Sequence, residues 1–221
     1  MSLLRILLTL SLLAPAATAQ RGTVLHGVPE HPDPRVHYVI YLHGRIIEDQ
    51  GPRPTHPDWG VYEYQQILDT LAAPGLTVIS EQRRPATDMD QFAEHVAGQV
   101  RTLLAAKVPA ESIAVVGFSK GGGIATRTSA LLKNDKVSFV FLGACGNGDF
   151  SGSALDVRGR ILSIYEASDE IGRSCAQLFA KSKGGGGRKE VKIETGKHHG
   201  AFFQPRKEWT APLLAWIQKG R

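Results

Sequence analysis

Short runs of almost continuously apolar residues alternate with longer amphipathic segments along most of this chain. The runs are rich in β-branched and aromatic residues, which is typical of strands buried on both faces of a parallel sheet. We predict strands over residues 36–42, 76–80, 113–116, 137–142, 161–164 and 191–193.

The segments between the strands repeat apolar residues with the spacing of a helix. The pattern is clearest over residues 89–107, where Asp88 or Thr87 precedes the segment as an N-cap. Alternation of strand and helix predicts an α/β fold with an open, mostly parallel sheet flanked by helices. Functional residues are then expected at the carboxyl ends of the strands. The predicted helices cover residues 62–73, 89–107, 121–132, 171–180 and 209–217.

Composition and charge exclude several other classes of protein. A chain of 221 residues with 42% hydrophobic and 21% charged residues fits one globular domain and excludes a disordered or collagen-like chain. The net charge of +5 is mild, and the basic residues form no aromatic-interleaved stripe, so a nucleic-acid partner is not expected. No apolar run long enough to span a membrane follows the first 20 positions.

The N-terminus reads as a targeting segment. Arg5 is followed by an apolar run over residues 6–14, and Ala-Thr-Ala at positions 17–19 is a typical cleavage site. We therefore expect a signal peptide over residues 1–19 and a single domain over residues 20–221, secreted or periplasmic. An uncleaved N-terminal anchor is the alternative.

One strand runs directly into a motif that can carry chemistry. Residues 113–116 lead into Gly117-x-Ser119-x-Gly121, and a predicted helix follows at once. This is the pattern of a nucleophile elbow, in which a sharp turn lifts a serine hydroxyl above the sheet. The glycines are needed because a side chain would clash where the chain doubles back. The alternative is a glycine-rich turn that binds phosphate.

A serine nucleophile needs a base, and the base needs an acid that orients it. With an elbow of this kind the acid and then the histidine follow the serine, each after a later strand. Asp169 and His199 stand at such positions. His198 is the rival base, and Asp149 and Glu170 are rival acids.

Three motifs carry a resemblance to a known family: Tyr-Leu-His-Gly ending at Gly44, the elbow around Ser119, and Gly-x-x-His ending at His199. On these motifs the sequence resembles the α/β-hydrolase superfamily, of the small esterase and dienelactone-hydrolase type, over nearly the whole mature chain. The strand before Asp169 is similar to the family's acid strand. Glu166 departs from it, because a glycine is usual there.

The resemblance implies a serine hydrolase acting on a carboxylic ester, with Ser119 as nucleophile, His199 as base and Asp169 as the orienting acid. It also implies an oxyanion hole made by the backbone N–H groups of Lys120 and Arg45. No metal or organic cofactor is expected, and the partner is a small-molecule ester.

The candidates for substrate contact are Arg45, Trp59, Glu81 and Arg83. Cationic side chains near the serine would favour an acidic substrate unless they point to solvent or pair with nearby carboxylates. Only residues 143–159 separate the two strands between which the family inserts a cap domain. We therefore expect no cap, an open site covered at most by a loop over residues 45–60, and soluble esters of modest size.

Two further questions stay open in the sequence. A peptidase or thioesterase would use the same residues, and a non-catalytic binding protein could retain the fold. Cys145 follows one predicted strand and Cys175 lies in the helix after the next, so neighbouring strands could bring them close enough to pair in an oxidising compartment; the alternative is two buried thiols. The sequence carries no signal for the oligomeric state.

Overall fold

The computed structural model describes residues 22–146 and 155–219. The expected signal peptide over residues 1–19 and the rival acid Asp149 lie outside the described residues. Within the described part of the chain, no helix has the length and apolar character that crossing a membrane requires.

The sheet confirms the predicted fold class. Seven strands are in the order β1-β5-β2-β6-β7-β8-β9, and every neighbouring pair is parallel. A separate antiparallel hairpin is formed by β3 and β4. The strands are β1 (Thr23–Leu25), β2 (Tyr38–Leu42), β3 (Thr55–His56), β4 (Gly60–Val61), β5 (Thr77–Ile79), β6 (Ile113–Phe118), β7 (Ser138–Leu142), β8 (Arg160–Glu166) and β9 (Arg188–Ile193).

The helices follow the predicted alternation with the strands. The longest begins at Asp88, whose side chain accepts hydrogen bonds from the backbone N–H groups of Asp90 and Gln91, as an N-cap does. The helices are α1 (Arg45–Gln50), α2 (Tyr64–Ala72), α3 (Met89–Ala105), α4 (Lys120–Leu132), α5 (Ala176–Lys181) and α6 (Lys207–Gln218), with 3₁₀ turns at Ala110–Ser112 and His198–Phe202.

Both faces of the sheet are covered, which explains why the strands are apolar throughout. In β2, Val39 and Tyr41 face a core that includes residues of α2 and α6, whereas Tyr38, Ile40 and Leu42 face a core that includes residues of α3 and α4. Burial on both sides is the expected environment of a central parallel strand.

Two predictions about local structure are wrong. Residues 45–60 do not form a plain loop, because they contain α1 and most of the small hairpin. Helix α5 begins at Ala176 rather than at residue 171. The turn before it is held instead by Glu190, whose carboxylate accepts hydrogen bonds from the Ser174 hydroxyl at 2.5 Å and the Cys175 backbone N–H at 2.7 Å.

A disulfide joins Cys145 to Cys175, whose Cα atoms lie 5.2 Å apart. The predicted pairing is therefore confirmed over the alternative of two free thiols. The bond ties the segment that follows β7 to the turn between β8 and α5. That turn carries Asp169.

Replacing both cysteines by alanine should lower the free energy of unfolding. The bond spans a sequence separation of 30 residues, and closing a loop of about that length stabilises by about 3–4 kcal/mol in the chain-entropy model. Urea unfolding without reductant measures the difference. Reductant should destabilise the natural chain and leave the double variant unchanged, and a natural chain indifferent to reductant would contradict the prediction.

Candidate active site

Ser119 occupies the turn between β6 and α4 in a strained backbone conformation, with φ 53° and ψ −119°. A positive φ is costly for a residue with a side chain and persists only where the surroundings enforce it. Here the Ser119 backbone N–H donates to the carbonyl of Leu142 at 3.0 Å, and α4 begins directly at Lys120. The serine therefore stands at the carboxyl edge of the sheet, on a fixed turn.

The glycines on either side make this turn sterically feasible. A Cβ added at Gly117 would overlap the carbonyl of Gly121, and one added at Gly121 would overlap the carbonyl of Leu42. A Cβ at Gly122 would overlap the side chain of Ala144. The start of α4 thus packs directly on the backbone of the neighbouring strand ends, as the elbow motif requires.

Asp169 and His199 form a buried acid–imidazole pair. The His199 Nδ1 atom lies 2.7 Å from the Asp169 Oδ2 atom, and each residue is only 4% exposed. The other oxygen, Oδ1, accepts a hydrogen bond from the backbone N–H of Ile171 at 2.8 Å. The carboxylate is therefore fixed, and it selects the tautomer with the proton on Nδ1.

The second ring nitrogen of His199 is left available. Its Nε2 atom is buried and has no hydrogen-bond partner among the described residues. The ring centroid lies 4.8 Å from that of Phe118, the residue before Ser119. The imidazole thus packs against the residue that precedes Ser119, and the Ser119 hydroxyl does not hydrogen-bond to Nε2 in this structure.

Glu166, which departs from the family pattern, braces the acid and histidine segments. Its carboxylate accepts hydrogen bonds from the Thr195 backbone N–H at 2.8 Å, the Thr195 hydroxyl at 2.7 Å and the Ser168 hydroxyl at 3.1 Å. Burial raises the pKa of Glu166, but these hydrogen bonds outweigh burial and hold the pKa below its usual range. A carboxylate at this position therefore substitutes for the glycine by linking two loops.

The rival residues are placed differently. His198 is exposed, and its Nδ1 atom lies 2.7 Å from the backbone oxygen of Ser168, not near a carboxylate. Glu170 is exposed as well. Of the two histidines, only His199 is joined to the candidate acid Asp169.

The two candidate oxyanion donors sit at helix N-termini. Arg45 is the first residue of α1 and Lys120 the first of α4, so neither backbone N–H has an acceptor within its helix. A Cβ added at Gly44, the N-cap of α1, would lie 3.0 Å from the Phe118 ring and 3.7 Å from the Ser119 Cβ atom. The absence of a side chain there lets the start of α1 approach the elbow.

A cavity of about 540 Å³ opens beside the serine. Its wall combines apolar side chains, among them Met89, Ala144 and Ile171, with the polar residues Arg45 and Lys120. The start of α3 and the turn after Asp169 form its sides.

Trp59 covers the imidazole rather than lining this cavity. Its ring centroid lies 5.4 Å from that of His199, and it stacks on His56 at 3.8 Å. The hairpin of β3 and β4 brings Trp59 to this place.

Glu81 and Arg83 are not brought to the cavity. Glu81 lines a separate cleft, where its carboxylate contacts His95 at 2.9 Å. The Arg83 side chain is fully buried, and its Nε atom donates to Glu48 at 2.7 Å. Both residues follow β5, but the Glu81 side chain faces the separate cleft and the Arg83 side chain is buried against Glu48.

Lys120, Arg83 and Arg45 each pair with a carboxylate, which is the alternative to recognition of an acidic substrate. Lys120 Nζ lies 2.6 Å from Glu48 Oε2, so one buried carboxylate contacts both Lys120 and Arg83. Arg45 pairs at 3.3 Å with Asp49 on the surface of its own helix. In the sequence, Glu48 is one of several acidic residues that could pair with these cations, and no pattern there indicates that it is buried.

Comparison with known proteins supports the fold. No model of a known protein family matches the sequence, and no curated protein matches it significantly. Among solved structures, a monoacylglycerol lipase of Paleococcus ferrophilus is 14% identical with a TM-score of 0.56, over 88% of this chain and 97% of the lipase. An esterase of Pyrobaculum calidifontis is 17% identical with a TM-score of 0.56, over 83% of this chain and 76% of the esterase.

A thioesterase from the prodiginine biosynthetic pathway of Streptomyces coelicolor is 14% identical with a TM-score of 0.52, over 94% of this chain and 96% of the thioesterase. At sequence identities this low, the similarity is evidence for the fold alone. The chain has the α/β-hydrolase fold, as its motifs indicated.

His43 is fully buried in the segment between β2 and α1, next to the candidate oxyanion donor Arg45. Its Nε2 atom accepts the backbone N–H of Arg83 at 2.9 Å, and Nδ1 lies 2.9 Å from the carbonyl of Gly44, to which it donates. Burial lowers the pKa of His43 to about 3, and the charge of Arg83 adds to this effect. The imidazole is therefore a neutral structural group.

Stability should fall on acidification because of His43. In the unfolded chain a histidine has a pKa of about 6.5, so below that pH the unfolded state binds a proton that the folded state excludes. At pH 5 this linkage amounts to about 2 kcal/mol. His43→Gln keeps an acceptor for the Arg83 N–H but does not titrate. Its loss of stability between pH 7.5 and pH 5, measured by urea unfolding, should be smaller by about that amount.

The exposed His31→Gln provides the matched control and should keep the pH dependence of the natural chain. Equal pH dependence in the natural chain and in His43→Gln would contradict the assignment.

Proposed function

We propose that this protein is a serine hydrolase that cleaves carboxylic esters of small soluble substrates. The observation that carries the proposal is the buried Asp169–His199 pair, whose ring packs on Phe118, the residue before the strained turn at Ser119. The names of the structural neighbours, an esterase, a lipase and a thioesterase, agree with acyl transfer on this fold.

In the proposed mechanism, the Ser119 hydroxyl attacks the ester carbonyl while His199 Nε2 accepts the hydroxyl proton. The carbonyl oxygen becomes an oxyanion that accepts hydrogen bonds from the backbone N–H groups of Arg45 and Lys120. Collapse breaks the ester C–O bond, and His199 gives its proton to the departing alcohol. Water then attacks the acyl group while His199 accepts a proton from it, and as the bond to Ser119 Oγ breaks, His199 returns that proton to the serine oxygen and the acid leaves.

Asp169 supports both steps. Its hydrogen bond to Nδ1 keeps the proton away from Nε2 in the resting state and stabilises the imidazolium that forms during each step.

The cavity supports esters of modest size. Its apolar wall, which includes Met89, Ala144 and Ile171, suits a short acyl or alcohol group. Thioester or peptide cleavage would use the same residues. Simple binding would require neither a serine on a strained turn nor a buried acid–imidazole pair at the same edge of the sheet, so catalysis is favoured over a binding protein.

We also propose that the chain is exported after cleavage of residues 1–19. The apolar leader and the Cys145–Cys175 disulfide support this, since disulfides persist mainly in oxidising compartments. N-terminal sequencing of the exported protein should begin at Gln20, and an uncleaved Met1 would contradict the proposal.

Ser119→Ala and His199→Ala should each lower kcat/KM by about 10⁴–10⁶, and the double variant should lose little more, because the residues act as one unit. Hydrolysis of p-nitrophenyl esters of graded acyl length measures the loss. Labelling by a fluorophosphonate probe should occur in the natural chain and be absent in Ser119→Ala.

Asp169→Asn should reduce turnover by about 10⁴ through the wrong imidazole tautomer, and Asp149→Asn is its matched control. Retained hydrolysis in a folded Ser119→Ala variant would overturn the proposed function. A large loss in Asp149→Asn with none in Asp169→Asn would reassign the acid.

A further inference from the structure

We infer that Glu48 is a positioning residue that holds the two oxyanion donors, the backbone N–H groups of Arg45 and Lys120, in a fixed relation to each other. The inference rests on the proposed hydrolase function and concerns the same site. Glu48 itself does not contact the reacting atoms.

Glu48 links the two helices that begin at the site. It lies on α1, three residues after Arg45, and its Oε2 atom is 2.6 Å from the ammonium of Lys120, the first residue of α4. The Glu48 side chain is fully buried and that of Lys120 is 16% exposed. A charged pair so shielded from water is stronger and more rigid than a surface ion pair.

Helix α1 depends on such a link for its position. It has only six residues, and its N-cap Gly44 supplies no side-chain cap. A helix of this length is not stable by itself, so tertiary contacts must set where it lies. Its surface pair of Arg45 with Asp49 stays within the helix. The inward contacts are therefore those of Ile47 and Glu48, which are buried, and of the partly buried Ile46.

A second cation extends the link to the loop before α1. Arg83 donates from Nε to Glu48 Oε1 at 2.7 Å and from its guanidinium to the backbone carbonyl of His43. The Arg83 backbone N–H also donates to His43 Nε2. The Glu48 carboxylate thus joins the segments that follow β2, β5 and β6. The segment from His43 to Glu48 is held at its start by Arg83 and at its end by Lys120 and Arg83.

Loss of the negative charge should loosen this arrangement. In Glu48→Gln the side chain keeps its shape and one acceptor oxygen, but Lys120 and Arg83 lose the charge that holds them. Since the oxyanion donors bond most strongly to the transition state, their displacement lowers kcat more than it raises KM. We expect kcat to fall by about 10–100-fold, less than the loss of a whole donor, with KM nearly unchanged.

Glu81→Gln is the matched control. Glu81 also follows a strand of the sheet and contacts polar side chains, but it lies in the separate cleft away from the serine. The control should keep the kcat and KM of the natural chain.

A thionoester substrate separates positioning of the donors from a general structural effect. Sulfur in place of the carbonyl oxygen is a poor hydrogen-bond acceptor, so an intact oxyanion hole favours the oxygen ester. In Glu48→Gln the ratio of oxygen-ester to thionoester turnover should fall by about tenfold. A variant that only lost stability would lose both activities equally and keep the ratio.

Lys120→Met removes the cation at the other end of the same ion pair and keeps the buried Glu48–Arg83 pair. It therefore tests the inference even if Glu48→Gln does not fold. It should show the same fall in kcat and in the ester ratio, and the double variant should lose little more than either single one.

The outcomes are distinct. A natural chain without hydrolysis or fluorophosphonate labelling overturns the proposed function and this inference together. An active natural chain in which both variants keep the ester ratio, or in which their losses simply add, overturns this inference alone.

Discussion

The backbone turn at Ser119 is the constraint on which the rest of the site depends. The chain must leave β6, adopt a positive φ at a residue with a side chain, and enter α4 within one step. This is possible only because Gly117 and Gly121 let α4 rest on the carbonyl of Leu42. The proposed nucleophile Ser119, the proposed oxyanion donor at Lys120 and the end of β2 are therefore positioned by a single close backbone contact, and the other groups are arranged around it.

Three buried carboxylates then hold the loops that surround this turn, and their partners give them different roles. Asp169 contacts an imidazole and fixes its tautomer. Glu166 accepts only N–H and O–H groups of two loops, so it serves as a brace. Glu48 contacts two cations from two strand ends. Because loops supply few apolar contacts, charge-assisted hydrogen bonds of this kind determine their relative positions.

The fold and the elbow were predictable because their signals are local. Continuous apolar runs separated by amphipathic segments require a two-sided parallel sheet, and the glycine spacing around Ser119 describes one turn. Helix α1 was missed because six residues show no period, and α5 was placed too early because the contacts of Glu190 compete with helix formation. Burial of Glu48 depends on segments far apart in the chain, which no local pattern reports. The same holds for the different places of Glu81 and Arg83.

The acid of the site and the wall of its cavity share one support. The backbone N–H of Ile171 fixes Asp169, while the Ile171 side chain lines the cavity and is half exposed. The Cys145–Cys175 bond and the bridge between Cys145 and Arg173 tie this turn to the adjoining segment of the wall at Ala144. A substrate that displaced Ile171 would also displace the backbone N–H that holds Asp169. Under the proposed mechanism, substrate fit and the orientation of His199 therefore depend on this one turn, whereas the proposed oxyanion donors depend on the separate contacts of Glu48.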